Sequence, residues 1–484
     1  MLKEADKRDE RLVIGRIADE LVQGVENAGN ALSEVFFEPS IRLGVTGLAR
    51  AGKTVFITSL VANLMDRGRM PGLAAAAEGR IVSAWLQPQP DDTVPRFAFE
   101  DHLGALTGAE PHWPEPTSSI SELRLSLRIQ PQGMFSAFSG PRTVHLDIID
   151  YPGEWLLDLE LLDRSYDAWS EAVLALARTR TEASEFLAAL DATDAAARFE
   201  EPTAQALARS YTGYLRSARE SGYSDCTPGR FLMPGEMEGS PALTFVPMPA
   251  GDGSSARGSL RREMHRRYEA YKSRVVKPFF REHFARIDRQ VVLVDLLGAI
   301  HAGPRAMEDL GRAMDNILGA FRPGANAWLA RLLGQKRVDR ILFAATKADH
   351  IHHSQHGRMT AILEALLRQA RDRADFAGAK TRAMAIAALR ATVEETRVVN
   401  GESLDMVRGR LLETGREAVL FPGTLPEDPS RLTGPAREGA ERWLDGDYSV
   451  MHFAPASQTR KPGLGPPHIR LDQAAEFLIG DRLR

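Results

Sequence analysis

Residues 47–54 read Gly-Leu-Ala-Arg-Ala-Gly-Lys-Thr, which is the pattern G-x-x-x-x-G-K-[ST]. Residues 41–46 predict a short buried strand before it, and residues 54–67 carry apolar side chains at helical spacing after it. A loop with glycine at both ends can turn its backbone N–H groups inward, and the following helix points the positive end of its dipole at the same place. The motif therefore predicts a strand–loop–helix unit that wraps a polyphosphate.

Two side chains of this loop have specific expected roles. Lys53 is expected to reach the β- and γ-phosphates of a nucleotide, and the Thr54 hydroxyl is expected to hold Mg²⁺.

The composition is that of an ordinary globular chain. With 484 residues, 43% hydrophobic and 26% charged, it can form about three domain-sized units or one domain with large insertions. A net charge of −4 gives no electrostatic case for nucleic acid as the main partner. The single cysteine, Cys226, excludes an intramolecular disulfide and favours the reducing cytosol. No transmembrane run is expected, and the N-terminus is charged where a signal peptide would be apolar.

The hydrophobic pattern predicts an α/β fold with a doubly wound, mostly parallel sheet and a large α-helical insertion domain. Alternation in residues 121–129 predicts a half-exposed strand, and the stretch 70–119 looks irregular. The tail, 400–484, mixes Gly/Pro turns with a closing helix at 471–483. We expect five segments: an amphipathic helix packed on the core (1–36), the first half of the nucleotide core (37–153), the helical insertion (154–288), the second half of the core (289–398) and a C-terminal extension (399–484).

A phosphate sensor is expected at residues 150–153, which read D-x-x-G after a predicted strand. Asp150 would hold a metal-bound water, and Gly153 would offer its backbone N–H to the γ-phosphate. A second D-x-x-G begins at Asp295, but a sensor there would leave no strand between it and the base-reading loop. We therefore interpret Asp295 as a strand end.

Base choice is expected at residues 346–349, Thr-Lys-Ala-Asp, after another predicted strand. The Asp349 carboxylate would accept hydrogen bonds from guanine N1–H and N2–H₂, a donor pair that adenine lacks. The Lys347 stem would lie across the purine face.

These three motifs, in this order, resemble the core of a Ras-like GTPase, a P-loop NTPase. The wider strings at residues 47–56, 150–156, 345–353, 389–392 and 467–473 are similar to the YcjX family of bacterial stress-associated P-loop GTPases. The resemblance spans nearly the whole chain. It implies a GTPase core with a large helical insertion, often found alongside a membrane-protein partner, and it does not supply the cellular task.

The resemblance also assigns roles residue by residue. It implies GTP or GDP and Mg²⁺ as cofactors, with metal contacts at Thr54, Asp150 and a switch threonine, for which Thr117 is the candidate and Ser118 and Ser119 compete. The expected nucleotide contacts are Ala49, Arg50, Ala51, Gly52, Lys53, Thr54, Val55, Lys347, Asp349, His350, Ala388 and Leu389, with Arg390 in the same loop.

The expected catalytic residues are Lys53, Arg50, Asp150, Gly153 and Glu154. Glu154 stands where a water-orienting Gln is usual; it would orient or deprotonate the attacking water, or else cap the next helix or pair with an arginine. Arg50 would act in cis on the transition state, or else pair with an acidic residue of the insertion.

Residues 349–356 contain four histidines, and His352 and His356 have i,i+4 spacing. No Cys or H-E-x-x-H accompanies them, so we interpret the run as a polar loop that leaves the base site.

The sequence thus predicts a cytoplasmic GTP-binding protein with slow Mg-dependent hydrolysis, acting as a nucleotide-controlled switch in a bacterial stress response. Peripheral association with the inner membrane would come through a membrane-protein partner. A nucleotide-stabilised scaffold with little turnover and an ATPase are the alternatives, and the oligomeric state stays open.

Overall fold

The computed structural model describes residues 38–48, 51–115, 119–132, 140–250, 256–319, 338–368, 379–433, 443, 452–457 and 461–484. The predicted helix at 1–36 and the predicted roles of Ala49, Arg50, Thr117 and Ser118 lie outside the described residues.

Seven strands form the main sheet, in the order β2-β3-β4-β1-β5-β6-β7. β4, β1, β5, β6 and β7 run parallel, and β3 and β2 continue the sheet with antiparallel pairing. The mostly parallel α/β prediction is therefore confirmed. The strands are β1 (Ser40–Gly47), β2 (Ile81–Gln87), β3 (Ser121–Ile129), β4 (Arg142–Asp150), β5 (Arg289–Val294), β6 (Arg340–Ala345) and β7 (Lys380–Ala385).

Strand β3 is buried rather than half-exposed, so that prediction is wrong. Two of its polar side chains are paired with residues of β4: Arg124 with Asp147 at 2.6 Å, and Ser126 with His145 at 2.8 Å. Alternation of polar and apolar residues predicts exposure only when the polar face meets water, and here neighbouring strands supply the polar partners.

Helices cover both faces of this sheet. They are α1 (Lys53–Met65), α2 (Ala74–Ala77), α3 (Phe99–Thr107), α4 (Glu154–Leu157), α5 (Tyr166–Ala177), α6 (Ser184–Asp191), α7 (Glu201–Glu220), α8 (Gly229–Leu232), α9 (Leu260–Tyr271), α10 (Lys277–Glu282), α11 (Leu296–Ala302), α12 (Pro304–Gly319), α13 (His356–Leu366), α14 (Ser430–Thr433) and α15 (Leu471–Ile479). In the described part of the chain no helix is long and apolar enough to span a bilayer.

Alternate residues of the central strands pack into two different cores. Val291 and Leu293 contact the face covered by α1 and α15, whereas Val292 and Val294 face the core built by α4 to α12. Every named element from Glu154 to Arg286 is helical, and its apolar side chains are continuous with that second face.

Two stretches contain regular structure that the sequence pattern did not predict. Residues 70–119 hold α2, the edge strand β2 and α3. Residues 392–420 form a second, three-stranded antiparallel sheet: β8 (Thr392–Val399), β9 (Glu402–Arg410) and β10 (Glu417–Leu420). The turn between β8 and β9 is Asn400-Gly401, with φ of 54° and 86°, which is the signature of a tight hairpin. Few of the hairpin's side chains are buried, so it lacks the hydrophobic pattern that would reveal it.

Candidate functional site

The phosphate loop connects β1 to α1. Gly52 immediately precedes the helix with φ of 79°, a left-handed conformation that glycine adopts without strain. The first turn of α1 carries no acidic side chain, so nothing on the helix neutralises the positive end of its dipole. The loop and helix therefore present an N-terminus suited to an anion.

The predicted side chains of this loop lie at its mouth. Lys53 is half-buried, and its Nζ donates a 3.1 Å hydrogen bond to the carbonyl oxygen of Gly47, across the loop. Thr54 is buried in the first turn of α1, and Val55 is half-buried beside it. Ala51 is buried and its N–H bonds the Leu48 carbonyl at 3.1 Å.

Asp150 and Gly153 lie against the same loop. Because β4 pairs in parallel with β1, Asp150 stands opposite Val45 at the carboxyl end of the sheet, and it is 1% exposed. A Cβ added at Gly153 would lie 2.6 Å from the carbonyl carbon of Gly47 and 3.1 Å from the Leu48 nitrogen. The backbone φ there is −63°, so close approach to the phosphate loop, and not conformation, requires the glycine.

Glu154 points its charge towards the helical segment. It is 3% exposed, and its Oε1 lies 3.1 Å from Nη2 of Arg219 on α7. A Cβ on Gly229 of α8 would collide with the Glu154 carbonyl oxygen. This geometry favours the pairing alternative for Glu154, and its action on the attacking water stays a prediction.

Asp158 anchors the residues that follow Glu154. Its carboxylate accepts hydrogen bonds from the Gly229 N–H at 2.7 Å, the Arg230 N–H at 3.3 Å and the Tyr271 hydroxyl at 2.5 Å. Burial raises the pKa of Asp158 to about 6, and these hydrogen bonds oppose the rise. A buried carboxylate thus joins the segment after α4 to two separate helices, α8 and α9.

Trp155 is a second anchor of this segment. Its indole N–H donates to the Met233 carbonyl at 3.0 Å, and its ring packs edge-on against Phe279 at 5.4 Å. The Arg230 guanidinium stacks 3.2 Å over the indole. The sequence gives no sign of the contacts of Asp158 and Trp155, because their partners lie on distant helices with no motif of their own.

Asp349 holds the loop after β7 in place. It is 3% exposed, its Oδ2 accepts the Ala391 N–H at 2.8 Å, and the Thr392 hydroxyl donates to its carbonyl oxygen. Within the described residues its Oδ1 accepts no hydrogen bond, so the carboxylate keeps acceptor positions for a ligand with two donors.

Lys347 adopts the left-handed region, with φ of 61°, and its ammonium forms an ion pair with Asp295. Asp295 also caps α11 by accepting the Gly298 N–H at 3.1 Å. This supports the interpretation of Asp295 as a strand end and adds a role that the sequence did not reveal: it fixes Lys347. The Thr346 hydroxyl donates to the Val294 carbonyl at 3.3 Å, which ties the loop to β5.

The other expected base contacts are buried around this loop. His350 lies edge-on against Phe453 at 5.2 Å, and burial lowers the pKa of its imidazole. Ala388 and Leu389 are buried at the end of β7. The structure therefore brings the described candidates into two groups, both at the carboxyl ends of parallel strands, where such sheets bind ligands.

These donors and acceptors fit a magnesium nucleotide. A cationic loop at a helix N-terminus suits phosphate, hydroxyl and carboxylate oxygens at Thr54 and Asp150 suit Mg²⁺, and Asp349 suits a base with two adjacent donors.

A sequence profile described as "YcjX-like family, DUF463" matches residues 41–483 of this chain. The chain belongs to the YcjX-like family. Two of its similar relatives are both named Ras-like GTPase YcjX. One, from Escherichia coli (strain K12), is 37% identical over 473 residues, which cover 95% of this chain and 99% of the relative. The other, from Shewanella oneidensis, is 36% identical over 468 residues, which cover 92% of this chain and 94% of the relative.

Proposed function

We propose that this YcjX-like protein binds guanine nucleotide with Mg²⁺, hydrolyses GTP slowly and acts as a nucleotide-controlled switch. One observation carries the proposal: the Gly153 backbone packs against the Gly47 carbonyl of the phosphate loop. The residues that follow it, Trp155 and Asp158, are hydrogen-bonded to the helical segment. The name Ras-like GTPase that both relatives carry supports the same chemical class.

In the proposed reaction, Lys53 exchanges its bond to the Gly47 carbonyl for the β- and γ-phosphate oxygens. The N–H groups at the start of α1 hold the phosphates, and Thr54 and Asp150 would hold Mg²⁺ directly or through water. When bound, Mg²⁺ would neutralise negative charge on the nucleotide phosphates. Asp349 selects guanine by accepting hydrogen bonds from the N1–H and N2–H₂ groups of the base, and the Lys347 side chain lies over the purine ring.

Slow turnover follows from Glu154. Its Oε1 lies 3.1 Å from Nη2 of Arg219, so this cation draws towards the helical segment a carboxylate that stands where a water-orienting Gln is usual. Arg50 is proposed to act on the transition-state charge. An Arg50→Ala variant with unchanged GTP turnover would contradict that role.

The switch itself follows from the position of Gly153. Loss of the γ-phosphate would remove the partner of its N–H and free the loop to move, as glycine permits. Because Glu154, Trp155 and Asp158 are held by α7, α8 and α9, movement of this loop would displace those helices. We propose the region 154–288 as the part that reports the nucleotide state.

The cellular setting is proposed from the motif resemblance alone: a bacterial stress response, in the cytoplasm, beside a membrane-protein partner.

A single-turnover assay with radiolabelled GTP tests the chemistry. Wild-type protein with Mg²⁺ should convert bound GTP to GDP in one slow phase, and Asp150→Ala should lose the magnesium-dependent part. Equal rates in the two proteins would contradict the proposed site.

The paired state of Glu154 favours a second candidate, a nucleotide-stabilised scaffold. Tight GTP binding without conversion in the same assay would support it. Equal competition by ATP, in wild type and in Asp349→Asn alike, would instead support an ATPase.

A further inference from the structure

A cluster of histidine and carboxylate side chains lies beside the base-reading loop. It joins the segment after β6 to one face of the β8–β9 hairpin. The donor atoms of His352, His353 and Glu394 all lie within 4.8 Å of one another. We propose that these three residues bind a divalent transition-metal ion, with zinc as the best match.

The hairpin brings its two acids to the same place. In the β8–β9 register Glu394 stands opposite Val407, and Asp405 stands opposite Thr396. Glu394 and Asp405 are therefore diagonal neighbours on one face of the hairpin. That face meets the histidine segment, since both acids contact His352.

The two nitrogens of His352 have different partners. Nδ1 lies 3.1 Å from Oδ2 of Asp405 and 2.8 Å from the Ser354 hydroxyl, while Nε2 faces Oε2 of Glu394 at 3.8 Å. A carboxylate on one imidazole nitrogen that leaves the other for a metal is the usual arrangement around protein-bound zinc. Here the Ser354 hydroxyl links the two groups, lying 2.8 Å from Nδ1 and donating to Oδ2 of Asp405 at 3.0 Å. Ser354 and Asp405 together are therefore the positioning residues, and Nε2 of His352 is the ligand atom.

The remaining ligands complete a site that opens to water. Nδ1 of His353 lies 2.7 Å from Oε2 of Glu394, a hydrogen-bond distance that a shared metal would widen to about 3.3 Å in tetrahedral zinc geometry. His352 is 12% and Glu394 20% exposed, whereas His353 is 67% exposed and leaves a route for the ion. Three protein ligands leave a fourth position for water.

The choice of metal follows from the donors. Two imidazoles and one carboxylate suit zinc and similar ions, whereas Mg²⁺ prefers oxygen ligands alone. The site is therefore distinct from the proposed magnesium position at Thr54 and Asp150. Arg390, 3.7 Å from Glu394, neutralises part of the acid's charge and would compete with the ion.

The pair suggested by sequence spacing is not the ligand pair. His356 donates from Nε2 to the Ala348 carbonyl at 2.8 Å, and its Nδ1 accepts from Arg470 at 3.1 Å. Both nitrogens of His356 are therefore hydrogen-bonded within the protein, which leaves neither for a metal ion. The acidic neighbours of His352 lie on the β8–β9 hairpin instead. An ion bound here would connect the two segments that surround Asp349. His352 lies three residues after Asp349, and Glu394 lies two residues after Thr392, whose hydroxyl donates to the Asp349 carbonyl.

The test is a Co²⁺ titration of the full, tag-free chain without nucleotide, followed by Zn²⁺ competition. One equivalent of Co²⁺ should give the intense visible absorption of a four-coordinate ion. Zn²⁺ should displace it, and excess Mg²⁺ should not. Zn²⁺ should also raise the thermal unfolding midpoint.

Ligand variants decide the assignment. Glu394→Gln and His353→Asn should weaken Co²⁺ binding by about 100-fold or more, and Asp405→Asn by about 10-fold. His353 is exposed enough that its replacement leaves the fold intact. His112→Asn, at an exposed histidine elsewhere, should bind as wild type does. A six-coordinate spectrum, or equal affinity in wild type and Glu394→Gln, would overturn the site without touching the proposed GTPase function.

Discussion

The two ends of the candidate nucleotide site are built differently. At the phosphate end two loops meet backbone against backbone, because Gly153 has no room for a side chain beside Gly47, and the Lys53 ammonium donates to the Gly47 carbonyl across the loop. At the base end the contacts are made by side chains, since Asp349 holds the loop after β7 and Asp295 holds Lys347.

The neighbours of the two ends differ as well. The phosphate end continues into the helical segment through Glu154, Trp155 and Asp158. The base end continues into the small antiparallel sheet, through the bonds from Ala391 and Thr392 to Asp349. Under the proposed function, the base end would hold the nucleotide, and the phosphate end would transmit its state to the helices.

Replacing the lysine at each end is the strongest test of this comparison. Lys53→Ala removes the cation that would meet the phosphates, so GTP affinity should fall by about 10²–10³-fold. Lys347→Ala removes a half-exposed cation whose partner Asp295 still caps a helix, so the loss should be about 10-fold. Titration calorimetry measures the GTP affinity of both variants, with Lys461→Ala, at an exposed lysine, as control. Equal losses at the two ends would remove the distinction.

The buried Asp158 predicts a pH dependence of the phosphate end. Its pKa in the fold, about 6, is higher than the ordinary 3.8, so the native state binds the proton more tightly than the unfolded state. The free energy of unfolding contributed by Asp158 should therefore be greatest below pH 4 and fall by about 3 kcal/mol as pH rises through about 6. Urea unfolding of wild type and Asp158→Asn from pH 3 to 7 measures this effect: the free energy of unfolding of wild type minus that of the variant should fall by about 3 kcal/mol over that range. Asp191→Asn, at an exposed aspartate of the same segment, is the control, and a matching change there would refute the assignment.

Gly153→Ala tests the close contact between the sensor loop and the phosphate loop. The added methyl must push the two backbones apart, which should lower the free energy of unfolding by about 1–3 kcal/mol and slow hydrolysis. Gly213→Ala on α7 meets nothing within 4 Å and should be neutral or stabilising. Chemical denaturation of the two variants gives the comparison. A stable, fully active Gly153→Ala protein would show that the two loops are not in contact.

Asp349→Asn sharpens the description of the base end. The amide presents a donor where guanine also presents one, so GTP affinity should fall by about 10- to 30-fold. Xanthosine triphosphate, whose base carries a carbonyl oxygen in place of the guanine amino group, should recover part of that affinity in the variant and not in wild type. Competition binding with GTP, ATP and xanthosine triphosphate measures the pattern. An unchanged preference for GTP would place base recognition elsewhere.

Local sequence determined the framework of the protein. The phosphate-loop motif, the strands that flank it and the alternation of strands with helices follow from short-range patterns of glycine, charge and apolar spacing. Asp150, Gly153, Lys347 and Asp349 stand at strand ends for the same reason, because the motifs fix where each strand stops.

The tertiary structure decided what those residues touch. Glu154 meets Arg219, Lys347 meets an aspartate 52 residues away, and His352 meets an acid on a hairpin that the hydrophobic pattern did not reveal. Helical and strand periodicity report only which face of an element is apolar. The identity of a distant polar partner depends on how whole elements pack, and burial then makes that pairing obligatory.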